Sequence, residues 1–285
     1  MSSVRSLLTS ATERLAAAGV PSAASDARLL LAHAWDVSVG ELQRRQVLGE
    51  EPADAVEVQF GELLEQRLTR IPLQHLTGSA PFRGLELRVG PGVFIPRPET
   101  ELVVDLVLAE ITGRDDASVV DLCTGSGAIA LAIKHEAPSA SVAAVELDPM
   151  AHAWAVRNAE LLGLDVSIGL GPAQGAFAGR EGSLDVVASN PPYIPVGMEP
   201  IDPEVRDHDP EVALYGGSDD GLRIPLEVAD RAAQLLRPGG LLVMEHADSQ
   251  GDSLPAALAR RGWVEAVDHV DLTGRPRAVT ARRPR

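Results

Sequence analysis

The sequence predicts an α/β domain with a mostly parallel sheet, preceded by a small helical bundle. From residue 101 onward, short apolar runs alternate with helical segments, as they do in sheets whose parallel strands are joined by crossover helices. Before about residue 75, apolar residues recur only at helical spacing. The length of 285 residues is enough for one large domain and one small one. We therefore expect two domains.

The helical bundle is predicted over residues 1–75. In "VRSLLTSATERLAAAG", Val4, Leu8 and Leu15 share one helix face, and the pattern stops at Gly19. The stretches "SDARLLLAHAW" and "ADAVEVQFGELLEQRLTR" repeat the same spacing, and Pro72 ends the last of them. No convincing strand interrupts these patterns, which together indicate a helical domain.

A β-hairpin linker is predicted over residues 76–98. The stretch "FRGLELRVGPGVFIPRP" has short strand patterns bounded by turn residues. Its densest turn signal is Gly90-Pro91-Gly92, so we expect the hairpin to close there.

The remaining region, 99–285, is predicted to form the parallel sheet with helices on both faces. Its last two strand patterns, "WVEAVDHVDL" and "PRAVTARR", have no helix between them and predict a closing antiparallel hairpin. Ligands of such sheets bind beyond the carboxyl ends of the strands. The predicted strands are "SVVDLC", "SVAAVEL", "VSIGL", "SLDVVAS", "GGLLVMEHA" and the terminal pair.

Composition excludes several classes of protein. No apolar run approaches the roughly 20 residues that span a bilayer, and the N-terminus lacks the apolar core of a signal peptide. The one cysteine, Cys123, excludes an internal disulfide. The net charge of −16 disfavours unaided binding to nucleic acid phosphates. We expect a cytoplasmic monomer that contacts neither membrane nor nucleic acid, and no metal site, since the charges of "RDHDPE" are typical of a solvated loop.

Two features at predicted strand ends indicate an adenosine-containing cofactor. Gly125 and Gly127, in "DLCTGSGAIA", lie between a strand and a helix, where glycine lets the backbone approach a ligand. Glu146 ends the next strand, where a carboxylate can accept both ribose hydroxyls. Each signal is weak alone, and the pair does not specify which cofactor binds.

The stretch "SNPPYIP" follows the predicted strand "SLDVVAS" and indicates which adenosine-containing cofactor binds. Pro191 and Pro192 lack amide donors, and each favours an extended backbone in the residue before it. The carbonyl groups here are therefore presented to a ligand and not used in a strand ladder. The Asn190 oxygen and the Pro191 carbonyl can each accept one hydrogen of an NH₂ group, and Tyr193 offers a flat face for stacking. Hydride transfer has no use for this acceptor pair, whereas methyl transfer from a sulfonium to nitrogen does.

These motifs are similar to those of class I S-adenosylmethionine-dependent methyltransferases that act on amide or amine nitrogen. The sequence more closely resembles one family among them, the release factor glutamine N5-methyltransferases, also called the PrmC or HemK family. The resemblance runs from about Ile71 almost to the C-terminus. The stretches that carry it are "NPPY", "DLCTGSGAIALAI", "IPLQHLTG", "FRGLELRVGPGVFIPRPETE", "DPEVALYGGSDDGL", "LRPGGLLVMEH" and "DLTGRPR".

The resemblance implies a substrate and an activity. The enzyme would transfer a methyl group from S-adenosylmethionine, leaving S-adenosylhomocysteine, to the side-chain amide of the glutamine in the Gly-Gly-Gln motif of class I peptide chain release factors. Its fold would be the Rossmann-like class I methyltransferase fold, with a mostly parallel seven-stranded sheet, and the helical bundle would recognise the substrate.

The resemblance also assigns roles to residues. Asn190, Pro191 and Tyr193 would be catalytic, and Asp121 would lie near the methionine part of the cofactor. Residues implied to bind the cofactor are Asp121, Cys123, Thr124, Gly125, Ser126, Gly127, Glu146 and Asn190. Residues implied to bind the substrate are Asn190, Pro191, Pro192, Tyr193, Arg97, Glu99 and Thr100.

The sequence departs from the family pattern at a few positions. Cys123 replaces a usual glycine, which we expect to be tolerated if this residue keeps a negative φ. Pro172 and Ala173 stand where the family commonly has an aspartate and an aromatic residue beside the adenine. Asp209 replaces a usual glutamate, and Pro276 a typical aspartate. None of these positions lies in "NPPY".

Two alternatives stay open at this point. An adenine-N6 methyltransferase would use the same acceptor pair for an exocyclic amine, although it would need a basic surface. A non-catalytic scaffold could keep the fold without the chemistry, although the intact motifs argue against it.

Overall fold

The computed structural model describes residues 3–285, which form two compact units. Of these described residues, 3–79 and Pro200–His208 form the first, the helical unit, and Ala80–Glu199 and Asp209–Arg285 form the second, the sheet unit. The division differs from the boundaries expected from the sequence, because most of the predicted linker belongs to the sheet unit and a short later segment belongs to the helical unit. Within residues 3–285, no helix is both long and apolar enough to cross a bilayer.

The helical unit is built from amphipathic helices around an apolar core that includes Leu15, Leu31 and Leu64. Two of the helices begin at serine caps, where the Ser3 and Ser38 hydroxyls accept backbone amide hydrogens of the first turn. The helices are α1 (Val4–Ala17), α2 (Ala23–Ala34), α3 (Val39–Leu48), α4 (Asp54–Leu68) and α5 (Leu73–Thr77). The helical character predicted for this region is what the structure shows.

The sheet unit contains a short hairpin and a seven-stranded sheet in the order β5-β4-β3-β6-β7-β9-β8. The strands from β5 to β7 run parallel, and β9 pairs antiparallel to both β7 and β8. The elements after α5 are β1 (Ser79–Phe82), β2 (Leu85–Arg88), α6 (Glu101–Ile111), β3 (Ser118–Leu122), α7 (Ala128–Glu136), β4 (Ser141–Glu146), α8 (Pro149–Leu162), β5 (Ser167–Leu170), β6 (Leu184–Ser189), α9 (Pro203–His208), α10 (Arg223–Leu235), β7 (Leu236–Glu245), α11 (Ser253–Arg260), β8 (Val264–Val270) and β9 (Pro276–Arg282).

Both faces of the sheet are buried under helices. Because successive residues of a strand point to opposite sides, β3, β4, β6, β7 and β9 each contribute side chains to both apolar clusters. On one face, Val119 of β3 packs with residues of α6 and α7, and on the other, Val120 packs with residues of α10 and α11. The predicted sheet with helices on both faces, including its antiparallel closing pair, is confirmed. Helix α11 was not expected from the sequence.

The hairpin closes at a different place from the predicted one. β1 and β2 form a two-stranded sheet whose turn is Arg83 and Gly84, with φ of 45° and 75°, as in a two-residue type I′ turn. Closure at Gly90–Gly92 is therefore wrong. Gly90 lies instead against Trp154 of α8, where an added Cβ would be 2.8 Å from the indole Cζ2. Its glycine is explained by close packing and not by a hairpin turn.

The segment Pro200–His208 is held in the helical unit by ion pairs. Glu204 of α9 accepts hydrogen bonds from Arg70 at 2.7 and 2.5 Å, and Arg67 lies 2.7 Å from Glu204 Oε1. Arg67 also donates to Asp26 of α2 at 2.8 Å, and both side chains of that pair are buried. Burial acts to raise the pKa of Glu204, but the hydrogen bonds from these arginines lower it well below the ordinary value.

Candidate active site

Four neighbouring strand ends bring the predicted site residues to one edge of the sheet. Glu146 ends β4, Cys123 follows β3, Asn190 follows β6 and Glu245 ends β7. The chain passes from β3 through β4 to β5 on one side and then returns to β6 on the other side of β3. This reversal makes the gap beyond β3 and β6 the switch point, where open α/β sheets bind ligands.

The loop after β3 requires left-handed backbone at three positions. Cys123, Gly125 and Gly127 have φ of 67°, 58° and 87°. Gly127 also fits closely, because an added Cβ would lie 2.8 Å from Leu131 Cδ1. The condition under which Cys123 was expected to be tolerated, a negative φ, is therefore not met, and this residue carries the strain that a glycine would avoid.

Cys123 has no sign of reactivity. Its side chain packs against the apolar core beneath α10, and burial raises the pKa of the thiol far above its ordinary value. The thiol therefore stays protonated, which is consistent with a packing role.

Asp121, the buried acid at the end of β3, is aligned by a neighbour in the loop. The Thr124 hydroxyl donates to Asp121 Oδ2 at 2.5 Å, while Oδ1 is buried with no hydrogen-bond partner among the described residues. Burial raises the pKa of Asp121 to about 7, against the hydrogen bonds from Thr124 and the Ala130 amide. A buried acid with one unsatisfied oxygen fits a cationic ligand group such as an α-ammonium.

Glu146 is held by backbone amides on both sides. Its Oε2 accepts from the Gly125 amide at 2.7 Å and its Oε1 from the Asp148 amide at 2.9 Å. Because a carboxylate oxygen can accept two hydrogen bonds, each oxygen keeps one acceptor site for a hydroxyl. The predicted glycine loop and the predicted acid are thus in direct contact.

Asn158 is a residue of this region that the sequence reasoning missed. It is buried on α8, accepts from the Arg88 amide at 2.7 Å, and donates to the carbonyls of Arg88 and Ser126 at 3.0 and 2.9 Å. It therefore joins strand β2 to the glycine loop. An asparagine in the middle of a helix is a mild signal of such a role, because this residue type does not favour helix interiors.

The loop after β6 presents the predicted acceptors. Asn190 is half-buried, Pro191 and Pro192 are buried, and the Asn190 Nδ2 donates to Thr100 Oγ1 at 3.4 Å. Thr100, assigned to the substrate site by resemblance, is itself buried. The structure therefore brings together Asn190 and Thr100, which are 90 residues apart in the chain.

Tyr193 is more enclosed than the flat stacking face suggested by the sequence. Its ring is half-buried and its hydroxyl donates to Glu245 Oε1 at 3.1 Å. Burial and the charge of Glu245 raise the pKa of Tyr193, so the phenol stays protonated. Glu245 was not among the predicted site residues. Its neighbour His246 is fully buried and lies 3.0 Å from Asp268.

The backbone of the Asn190–Tyr193 loop is fixed by the loop before α10. The amides of Tyr193 and Ile194 donate to the Leu214 carbonyl, and Gln250 Nε2 donates to the Tyr193 carbonyl at 3.0 Å. Gly221 packs so closely that an added Cβ would lie 2.1 Å from the Tyr193 carbonyl oxygen. This contact explains why Gly221, the last glycine of "GGSDDGL", is a glycine.

Arg97 and Glu99, which the resemblance also assigns to the substrate site, lie shortly before α6. Arg97 Nη2 donates to Asp209 Oδ2 at 2.9 Å, and its guanidinium lies 5.2 Å from the Phe94 ring centroid. Asp209 is buried by this pairing and not solvated as expected for its loop. Glu99 is exposed and acts on Glu245 and Arg277 through its charge.

The loop after β5 contains the two positions that depart from the family pattern beside the adenine, Pro172 and Ala173. Ala173 is buried in a 3-10 turn that follows Pro172, and packs against the core beneath α10. The departure noted at these two positions therefore leaves neither a polar nor an aromatic side chain at 172 and 173. Within residues 3–285, no cluster of three or more His, Cys, Asp or Glu side chains is placed to hold a metal ion.

Comparison with known proteins identifies the family. The PrmC N-terminal domain model matches residues 6–78, and the methyltransferase small domain model matches residues 85–199. The release factor glutamine methyltransferase of Streptomyces coelicolor is 48% identical, over 96% of this chain and 95% of that protein. The enzyme of the same name from Bifidobacterium longum is 43% identical, over 98% and 99%. The chain belongs to the release factor glutamine methyltransferase family. The resemblance found in the sequence is confirmed.

Two further similarities concern the fold and the substrates after which related proteins are named. A methyltransferase from Pyrococcus furiosus, 17% identical, superimposes with a TM-score of 0.51 over 71% of this chain and 90% of that one, so the two share a fold. A 4-amino-L-phenylalanine/4-methylamino-L-phenylalanine methyltransferase of Streptomyces pristinaespiralis is 38% identical, over 91% of this chain and 88% of that protein. The release factor glutamine methyltransferase family is thus related in sequence to a protein named for a small aromatic amine.

Proposed function

We propose that this member of the release factor glutamine methyltransferases methylates the side-chain amide nitrogen of the glutamine in the Gly-Gly-Gln motif of class I peptide chain release factors. One observation carries the proposal. Asn190 stands at the switch point with its Nδ2 directed to Thr100, which leaves Oδ1 as an acceptor beside the Pro191 carbonyl. Two acceptor oxygens from adjacent residues can receive the two hydrogens of a primary amide.

The chain's residues prepare the amide nitrogen for attack. When both N–H groups are held by acceptor oxygens, the nitrogen lone pair points away from them toward the methyl donor. As nitrogen becomes positively charged, the Asn190 and Pro191 oxygens stabilise that charge, and one of the two protons is then lost to solvent. Tyr193, protonated and fixed through Glu245, packs against the amide plane.

S-adenosylmethionine supplies, when bound, a methyl group whose C–S bond breaks as the N–C bond forms, which leaves S-adenosylhomocysteine. The residues present fit this cofactor. The unsatisfied Oδ1 of Asp121 would accept from its α-ammonium, and the free acceptor sites of Glu146 would receive its ribose hydroxyls. Thr124, Gly125, Ser126 and Gly127 would place backbone close to its methionine part.

The partner follows from the substrate. A release factor presents a protein surface, and the helical unit, which matches the PrmC N-terminal domain model, is the proposed recognition domain. With a net charge of −16, the chain is unsuited to direct binding of nucleic acid. We place the enzyme in the cytoplasm, because its proposed substrate acts there in translation. We also propose that it is a monomer.

A comparison of three candidate substrates tests this function. The purified protein would be incubated with radiolabelled S-adenosylmethionine and, separately, with an unmethylated release factor, an adenine-containing single-stranded oligonucleotide and 4-amino-L-phenylalanine. We expect methyl incorporation into the release factor and no incorporation above background into the other two. Preferential methylation of the oligonucleotide or the amino acid would overturn the proposal and favour the corresponding alternative.

A further inference from the structure

A buried glutamine joins three loops next to the Asn190–Tyr193 loop. Gln250 ends the 3-10 turn that follows β7 and is 3% exposed. Its Nε2 donates to the Tyr193 carbonyl at 3.0 Å and to the Asp220 carbonyl at 2.9 Å, and its Oε1 accepts from the Ala247 amide at 3.0 Å. One side chain therefore bonds the loop after β6, the loop before α10 and the turn after β7.

The bonding partners fix the direction in which the Gln250 amide points. All three are backbone groups, and a backbone N–H can only donate whereas a carbonyl can only accept. A flipped amide would set its NH₂ group against the Ala247 N–H and its oxygen against two carbonyl oxygens. None of these groups titrates, so the orientation does not depend on a protonation state. Gly221 leaves room for the contact, because an added Cβ there would lie 2.9 Å from Gln250 Nε2.

The two prolines make the Asn190–Tyr193 loop dependent on such support. Pro191 and Pro192 carry no backbone N–H, so the first backbone donor after Asn190 is that of Tyr193. The peptide group that carries the Pro191 carbonyl has no hydrogen to donate, since its nitrogen belongs to Pro192. The direction of this carbonyl, one of the two proposed acceptors, is therefore set by the backbone on either side of it.

That backbone is held at the peptide group between Tyr193 and Ile194. Its N–H donates to the Leu214 carbonyl at 2.8 Å, and its C=O accepts from Gln250 on the other side. Because proline fixes its own φ, few free rotations separate this held peptide group from the Pro191 carbonyl. A shift of the Tyr193 carbonyl therefore shifts the acceptor.

We propose that Gln250 is a positioning residue, which directs the Pro191 carbonyl toward the substrate amide by holding the Tyr193 carbonyl. The inference rests on the proposed function, since the Pro191 carbonyl is one of the two acceptors named there. Gln250 touches neither substrate nor cofactor in this scheme, and acts only through the backbone.

Gln250→Met is the direct test, because methionine has a similar length and cannot donate a hydrogen bond. We expect kcat for methylation of an unmethylated release factor to fall about tenfold to a hundredfold, as for a displacement of reacting groups by up to about 1 Å. The dissociation constant for S-adenosylmethionine should change less than about threefold, because the proposed cofactor residues follow β3 and β4. The KM for the release factor should change as little.

Gln250→Glu turns the same contacts into a pH-dependent test. One carboxyl oxygen would accept from Ala247, and the other would face the carbonyls of Tyr193 and Asp220. Protonated, that oxygen donates to one carbonyl, and ionised it donates to neither. Burial and the facing carbonyl oxygens raise the pKa of the introduced acid. The ratio of its kcat to the wild-type kcat should therefore fall as pH rises through that pKa, whereas the ratio for Gln250→Met should stay constant.

A matched control separates positioning from stability. Asp185→Asn lies at the opposite end of β6, where Asp185 accepts from the Ser118 amide and hydroxyl and from Arg237. That variant should lower the melting temperature and leave kcat unchanged. Each kcat is measured below the melting temperature of that variant at the same pH, so that unfolding does not contribute to the loss.

The outcomes distinguish the two levels of the account. No methylation by the wild-type enzyme, with S-adenosylmethionine bound, would overturn the proposed function itself. Methylation by the wild type and an unchanged kcat in folded Gln250→Met would overturn the positioning role alone. If Gln250→Met does not fold, Gln250→Glu decides, and a ratio to the wild-type kcat that is the same at every pH would overturn the inference.

Discussion

The glycine loop after β3 and the Asn190–Tyr193 loop after β6 follow neighbouring strands, yet they are held in different ways. The glycine loop is bonded by residues at most 32 positions away: Thr124 bonds Asp121, Gly125 bonds Glu146, and Asn158 bonds the Ser126 carbonyl. The Asn190–Tyr193 loop is fixed by residues far from it, including Thr100 and Glu245, at separations of 90 and 52 residues.

This difference separates binding from chemistry. The glycine loop depends on its own left-handed backbone and on Glu146 and Asn158, which come from the next strand and helix. An acceptor pair that must meet two particular hydrogens depends on groups from several elements, because small misplacement of reacting atoms costs much of the rate. We therefore expect substitutions behind the Asn190–Tyr193 loop to lower kcat, and substitutions in the glycine loop to change cofactor affinity and stability.

The largest expected effect is the loss of the acceptor itself. Asn190→Ala removes one of the two oxygens that stabilise the charged nitrogen, so kcat should fall about 10²- to 10³-fold, as for the loss of one transition-state hydrogen bond. Steady-state kinetics with a release factor would measure kcat, and calorimetry would measure the affinity for S-adenosylmethionine. A loss of cofactor binding as large as the loss of kcat would contradict the separation.

Next is the backbone support of the same loop. In Gly221→Ala the new Cβ would lie 2.1 Å from the Tyr193 carbonyl oxygen, at a φ of 71°, so the loop must move. Gly84→Ala is the matched control, because its φ is 75° and nothing lies within 4 Å. Both variants should lose about 1 kcal/mol of stability for the left-handed φ, and only Gly221→Ala should also lose kcat. Equal kcat in the two variants would show that the contact does not matter.

A smaller, pH-dependent effect is expected at Asp121. Its folded pKa of about 7 lies above the ordinary 3.8 because of burial, so its contribution to stability is fully present below the ordinary value and is lost as pH rises through about 7. Asp121→Asn, which does not titrate, should therefore gain on the wild type by at most about 1.4 kcal/mol per pH unit in that window. Urea unfolding of the cofactor-free enzyme at pH 5 and pH 8 measures this.

The same variant should bind S-adenosylmethionine more weakly than the wild type at pH 8, where the wild-type carboxylate is ionised and can meet the α-ammonium. The difference should be smaller at pH 5, where burial keeps the wild-type acid largely protonated. A stability difference between Asp121→Asn and wild type that is the same at pH 5 and pH 8 would mean that the acid is ionised throughout this range.

The smallest expected effect is at Cys123, whose φ of 67° is unfavourable for any residue with a Cβ. Cys123→Gly removes that strain of roughly 1 kcal/mol but raises the entropy of the unfolded chain by a similar amount. Cys123→Ala keeps the strain and loses the packed sulfur. The melting temperature of Cys123→Gly should thus exceed that of Cys123→Ala. The reverse order would show that the sulfur contacts outweigh the backbone strain.

The sequence predicted the sheet well because strand and helix periods are local signals. It predicted the hairpin turn poorly. Arg83, a residue without a strong turn preference, shares the turn with Gly84, whereas Gly90 is a glycine because Trp154 packs on it. A turn glycine and a packing glycine look the same in a sequence.

The site was predictable to the extent that it resides in short motifs. Asn190, Glu146 and the glycine loop stand at strand ends that the alternation of elements predicts. Glu245, Asn158 and Asp209 were missed or taken as solvated, because their partners come from distant parts of the chain. Which charged residue is buried depends on pairings such as Arg97 with Asp209, 112 residues apart, and these appear only once the chain is folded.

The measurement that tests the account most directly is fragmentation mass spectrometry of an unmethylated class I release factor after incubation with this enzyme and S-adenosylmethionine. We expect one added methyl group, located on the side-chain amide of the Gly-Gly-Gln glutamine. A methyl group on another residue, or none when cofactor binding has been demonstrated, would contradict it.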